Sequence, residues 1–422
     1  MKIKFWSGLF LVVANVMGTG VFSTIGVQSI LTPHMIPIML AWIIGGLMSV
    51  FGAISYVGLS RMIPGSGGEY LYISKIYGRP LGFLAGWAIA TVAFVGPLAV
   101  AAQMMGTYLN QLFPQISELT FACLSVIAVT FVHFHNNHVS SSFHNFFTVT
   151  KLILFAVLIY FAFTNGKPTH LEFSHLQDQS FTMSSFFISL IIVMYAYCGW
   201  NAIVFMIDDI ENPEKNLNKI LVIGVSLVSI LYVLFQLAVL HVFPLESLKG
   251  VPEVAHLLIE SIWSDWGKVF IYCILILCLI PSMSAFVWTN PQVIRSMSKD
   301  FRVFHRFTLI PSDKPLRLIL VLQTLLTLGL ILSSAVGELI KYLGFTLNLF
   351  SFLTILGIFI IHIKDKKRPL ISGYPWTTGF FLIFSFLMGV FSFWEEPRAS
   401  FLGLLNLVIG YILYVFSEKK LT

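Results

Sequence analysis

The sequence predicts an all-α integral membrane protein of twelve transmembrane helices, arranged as a five-plus-five inverted repeat with helices 1 and 6 broken. Three observations carry that expectation. Of 422 residues, 57% are hydrophobic and only 10% are charged, whereas a soluble globular domain carries roughly 25% charged residues. Apolar runs of about 20 residues, the length that crosses a bilayer, recur along the whole chain. Two of these runs are interrupted by glycine near mid-depth. Hydrocarbon offers unpaired backbone groups no water there, so a break is tolerated only against a protein-lined cavity.

The runs fall, in order, at about 5–30, 37–61, 80–112, 119–134, 147–164, 184–207, 219–243, 267–294, 316–334, 339–362, 378–394 and 399–416. The fourth is the least apolar at its end, where His133 and His135 stand. The connections are short, so residues 1–422 read as a single membrane domain. Repeat one covers about 5–164 and repeat two about 184–362, with two extra helices over about 378–416. The repeat rests on segment count and on the two breaks, because the halves share no obvious identity. The first run follows only Lys2 and Lys4 and has no small-residue cleavage site, which predicts a retained span rather than a signal peptide.

The formal net charge of +6 is a matter of topology. Nineteen of the 25 Lys and Arg residues flank the spans on the side of the N-terminus, and five flank them on the other. By the positive-inside bias both termini are expected in the cytoplasm of a multi-pass plasma (inner) membrane protein, with the lipid bilayer as solvent. Nothing in this distribution supports nucleic-acid binding. Cys123, Cys198, Cys273 and Cys278 all fall within predicted spans without CxxC spacing, so neither a zinc site nor a disulfide framework is indicated. No Ser/His/Asp set, H-E-x-x-H or phosphate loop occurs in the predicted loops, so neither enzymatic activity nor a cofactor is expected.

The two breaks suggest a chemistry. The first reads Val16-Met17-Gly18-Thr19-Gly20-Val21-Phe22 and the second Tyr195-Ala196-Tyr197-Cys198-Gly199-Trp200-Asn201. A helix that stops at Met17 and restarts near Gly20 presents free N–H groups and a positive dipole end, a site suited to a carboxylate. Its first half ends in free carbonyls, which accept hydrogen bonds from an ammonium. A zwitterion matches both ends without an ionised side chain. Close helix packing through Gly-x-Gly is the competing reading of Gly18 and Gly20. Paired breaks of this kind are the sequence pointer to a midplane substrate site in an inverted-repeat transporter.

Ala196 to Asn201 of the second break joins three further stretches in a pattern: Pro64-Gly65-Ser66-Gly67-Gly68-Glu69-Tyr70, Phe147-Thr148-Val149-Thr150-Lys151-Leu152 and Asp208-Asp209-Ile210-Glu211-Asn212-Pro213. With Met17 to Phe22, and in their order along the chain, they resemble the amino acid–polyamine–organocation (APC) transporters, especially the L-type amino acid transporter branch. The likeness covers roughly residues 8–362. It implies the LeuT-type fold and amino acids as substrates. It also implies a substrate site of Met17, Gly18, Thr19, Gly20, Tyr195, Cys198, Gly199, Trp200 and Asn201, with Tyr195 as an aromatic gate.

Lys151 is an ionisable residue inside a span, and such residues are functional hypotheses by default. In sodium-independent branches that this chain resembles, a lysine ammonium takes the place of a sodium ion, and Ser282 and Ser284 on segment 8 are its expected partners. A snorkelling lysine is the alternative. The resemblance implies sodium-independent alternating access. A fixed Lys151 charge offers no ion gradient, which puts obligate exchange ahead, whereas a proton that came and went on Lys151 would give proton-coupled symport; export is the other alternative. A membrane sensor without net flux is the reading from another class. Some eukaryotic relatives need a glycoprotein joined through a cysteine after segment 3; here that loop, Phe113 to Glu118, has none, so no disulfide-linked heavy chain is expected. Glu69 is expected to pair with basic loop residues at an inner gate, with a place in a proton path as the alternative. The run His133, His135, His138 and His144 is expected to be solvated in a loop, since its spacing does not converge on a helix face for a metal. The acids at 208–211 are expected to pair with Lys215, Lys219 or Arg79.

Overall fold

A computed structural model describes residues 2–18, 20–32, 34–135, 137–165, 182–251, 254, 257–258, 265–311, 314–333, 336–365, 369 and 371–418. Secondary structure among them is helical, apart from one isolated bridge between Ile3 and Ile210. Among the described residues nine helices are long and apolar enough to cross a membrane, and three shorter apolar ones accompany them: Glu118–Phe134, Met183–Ala196 and Arg317–Ser333. At 1.5 Å per residue a helix of 17 residues reaches only about 25 Å, short of a hydrocarbon core of about 30 Å. Met183–Ala196 is short because its span is broken.

The first span consists of α1 (Phe5–Val16) and α2 (Gly20–Leu31), followed by α3 (Met35–Met62). A short α4 (Gly68–Tyr77) precedes α5 (Arg79–Leu112), which widens into a π turn at Ile89–Ala93. α6 (Glu118–His135) and α7 (Asn137–Asn165) complete the first half. α8 (Met183–Ala196) and a 3-10 helix (Ala202–Asp209) make up the second broken span. Then come α9 (Pro213–Val242), α10 (Asp265–Met297), α11 (Arg317–Ser333), α12 (Val336–Asp365), α13 (Trp376–Glu395) and α14 (Pro397–Glu418), with a four-residue turn of helix, Leu245–Leu248, after α9.

α1 and α2 lie at the centre, as burial shows. From Leu11 to Val16 the chain is almost wholly inaccessible, and α2 buries Gly20 to Gly26. The outer helices instead expose large apolar side chains: Phe131 on α6, Ile153 and Tyr160 on α7, Leu325 on α11, Phe386 and Phe393 on α13, and Phe401 on α14. Such a rim is inside out for water and suits lipid. Trp376 and Trp394 stand exposed at opposite ends of α13, as interfacial anchors do.

One end of the bundle gathers both ends of the described chain. Ile3 donates its backbone N–H to Asp209 O at 2.6 Å and accepts from Glu211 N at 2.9 Å. Arg79 pairs with Glu418 at 3.4 Å and donates to Asp300 O at 2.7 Å. Lys2 bonds the carbonyl of Asp208. The acids at 208–211 therefore meet Lys2 and the loop after α3, where Ser66 N reaches Asp208 Oδ2 at 3.2 Å, and Arg79 is engaged elsewhere.

Candidate substrate site

The two breaks are seated on each other. α1 ends with Met17 N–H bonding Val13 O at 2.8 Å, and Gly18 N–H turns back to Val16 O at 2.7 Å. α8 ends at Ala196, and Cys198 N–H closes a turn onto Tyr195 O at 3.0 Å. Gly199 then adopts φ 93°, a region that disfavours any side chain. A Cβ on Gly199 would lie 2.8 Å from Asn15 O, and one on Gly20 would lie 2.5 Å from Ala196 Cα. Each break thus packs against the end of the other broken helix. Gly20 is required by this crossing. Gly18 has open space, since a Cβ there would meet nothing nearer than Val16 O at 3.9 Å. Thr19, counted with the site from sequence, lies outside the described residues.

The carbonyls freed at the first break have partners (Ala14, Val16 and Met17). Tyr232 Oη donates to Val16 O at 2.7 Å from α9. Ser282 Oγ lies 2.6 Å from Met17 O and 3.1 Å from Ala14 O. Lys151 Nζ donates to that same Ser282 Oγ at 2.6 Å. Lys151 is 1% exposed, so its side chain does not snorkel to the interface. The chain Lys151–Ser282–Met17 therefore ties α7 and α10 to the end of α1. Ser284, grouped with Lys151 in the sequence reading, takes a different partner: its hydroxyl lies 2.9 Å from His133 Nε2. His133 is buried on α6 rather than solvated in a loop, because the helix extends to His135.

A cavity adjoins the second break, with about 660 Å³ of space between atoms when its opening to solvent is counted. Tyr195, Cys198, Gly199, Trp200 and Asn201 line one side. The π turn of α5 (Ile89, Ala93) and α12 (Asn348, Ser351) line others. π turns open a helix locally and recur at functional sites. Met17, Gly18 and Gly20 do not line this cavity; Gly20 packs on Ala196, the residue after the lining Tyr195.

Glu69, expected at an inner gate among basic loop residues, lines the cavity instead. It is 2% exposed, and its Oε1 accepts from Asn201 Nδ2 at 2.8 Å, from Ser351 Oγ at 3.0 Å and from Tyr56 Oη. Burial pushes this carboxyl above its ordinary value, against the lowering effect of the three donors. This place is not legible in the sequence, because the partners of Glu69 come from α3, α12 and the second break, which only the fold brings together. Among the described residues no group of three or more His, Cys, Asp or Glu side chains is placed to hold a metal ion.

Apolar spans, a lipid-facing rim and two facing helix breaks beside a cavity define a helical membrane transporter. The amino acid permease family matches residues 3–416, and the chain belongs to that family, as an L-type-like member of the APC superfamily. Its relatives are transporters rather than enzymes. The large neutral amino acids transporter small subunit 2 of Oryctolagus cuniculus is 26% identical over 446 residues, covering 99% of this chain and 81% of the relative. The cystine/glutamate transporter of Homo sapiens is 25% identical over 448 residues (99% and 86%). The b(0,+)-type amino acid transporter 1 of Mus musculus is 24% identical over 400 residues (87% and 78%).

Proposed function

We propose that this protein carries amino acids across the plasma (inner) membrane by alternating access, without sodium and as an exchanger. The observation that carries this reading is the Lys151–Ser282–Met17 chain at the first break. A buried ammonium that reaches released carbonyls through one hydroxyl supplies the positive charge that a bound cation would otherwise bring. A fixed charge of this kind brings no ion gradient to drive net uptake, which leaves exchange of one amino acid for another. The substrate's carboxylate would meet the N-terminus of α2 beside the open Gly18, and its ammonium the carbonyl end of α1. Tyr195 would close over it, and Cys198, Gly199, Trp200 and Asn201 would form the wall towards its side chain. LeuT-type repeats over about 5–164 and 184–362 and cytoplasmic termini belong to the same reading, as does function without a disulfide-linked partner.

The test is uptake of a labelled amino acid panel into proteoliposomes, empty or preloaded, with and without sodium and an imposed pH gradient. Uptake only into preloaded vesicles, indifferent to sodium, is the expected result. Proton-driven uptake into empty vesicles would replace exchange with symport. No uptake of any amino acid would overturn the reading.

A further inference from the structure

Glu69 is the one carboxylate that lines the cavity among its described lining residues, and its hydrogen bonds are lopsided. Tyr56, Asn201 and Ser351 all donate to Oε1. No described residue donates to Oε2, and no described lysine, arginine or histidine pairs with the group. A buried carboxylate without a counter-charge is costly. Here three neutral donors fix its orientation and leave one oxygen for something that enters the cavity. Tyr56 on α3 donates to Glu69, and Cys198 in the second break lines the same cavity. Trp200, Phe94, Phe205 and Phe381 line the same cavity, and aromatic walls tolerate a cation better than an anion.

We infer that Glu69 makes this cavity a subsite for the cationic end of a basic amino acid, with Oε2 accepting from the distal ammonium or guanidinium of the substrate. The inference rests on the proposed amino acid transport and names its substrate class. Gly199 packs on Asn15 and also lines the cavity, so a positive tail at Glu69 would lie beside the second break, next to a zwitterionic head at the breaks. A neutral tail would leave the carboxylate uncompensated, and an acidic tail would be repelled by it. The expected order is therefore basic, then neutral, then acidic.

The test is equilibrium binding of L-lysine, L-norleucine and L-glutamate to the purified full-length protein at neutral pH. Lysine and norleucine differ by the terminal ammonium alone, so their affinity ratio reads the subsite. Lysine should bind more tightly than norleucine by roughly 30-fold or more, the scale of one desolvated charge-assisted contact. Glu69→Gln should bring the ratio close to one. Glu69→Asp, which keeps the charge, should retain a preference for lysine and guards against a Gln variant that fails to fold. The proposal is overturned if wild type binds norleucine as well as lysine, or if Glu69→Gln leaves the ratio unchanged. It is equally overturned if the substitution moves only the pH profile of norleucine binding, which would make the carboxyl a proton site. If none of the three amino acids binds, the amino acid reading itself fails and the substrate class falls with it.

Discussion

Gly199 excludes a side chain twice: its φ of 93° disfavours a Cβ, and the space a Cβ would fill is taken by Asn15 O. Gly199→Ala should therefore lower stability by about 1–3 kcal/mol, read as a drop in melting temperature in detergent, and an unchanged melting temperature would contradict the crossing of the two breaks. Gly18 is the opposite case. Its surroundings leave room for a side chain, so Gly18→Val should fold and yet lose amino acid binding, because the valine would block approach to the backbone. Intact affinity in that variant would sink the carboxylate site at α2. Glu69 adds a pH dependence. Its carboxyl is raised in the folded protein, so the folded state holds a proton that the unfolded chain releases sooner. Stability from this group is then complete below the ordinary carboxylate value of 4.5 and is lost as pH rises through the higher folded value. In ligand-free protein Glu69→Gln should flatten that decline, and a melting curve with the same pH slope as wild type would contradict it.

Two serines close in sequence join different helices. Ser282 joins Lys151 to the end of α1, and Ser284 joins His133 on α6 to α10. Ser282→Ala strands a buried ammonium and two carbonyls and should cost about 1–3 kcal/mol, with a fall in transport. Ser284→Ala should affect transport less, and equal losses in the two variants would contradict the assignment. The positions of both breaks are legible in the sequence, because glycine in an apolar run marks a local backbone necessity. Lys151 is legible for a similar reason, since a charge within a span needs a partner. What each glycine does is not legible: Gly18 and Gly20 look alike in sequence, and only the neighbouring Ala196 assigns Gly20 to packing. The choice between Ser282 and Ser284 likewise depends on which face of α10 turns to α7, which composition does not reveal.

For the whole molecule, the apolar pattern foretells a membrane bundle, and residues 3–416 match the amino acid permease family. The three short helices were harder to read, since the sequence treats a broken or truncated span like a complete one. The Glu69 network is hardest to read, because it joins α3, α4, α12 and the second break, and Ser351 lies 282 positions from Glu69. Residues 2–4 and 418 share one end of the bundle, so tags on either terminus should be accessible from the same side. With that side cytoplasmic, a fluorescent-protein fusion at either end should fluoresce, and a dark fusion at one end alone would contradict the shared location. The most direct test of the central claim is sodium-free counterflow of amino acid in proteoliposomes, comparing wild type with Lys151→Ala. Wild type should exchange robustly, and the variant should lose about 100-fold or more, the size expected when a buried charge network is broken. Unchanged rate and pH dependence in Lys151→Ala would contradict the claim that this ammonium stands in for a sodium ion.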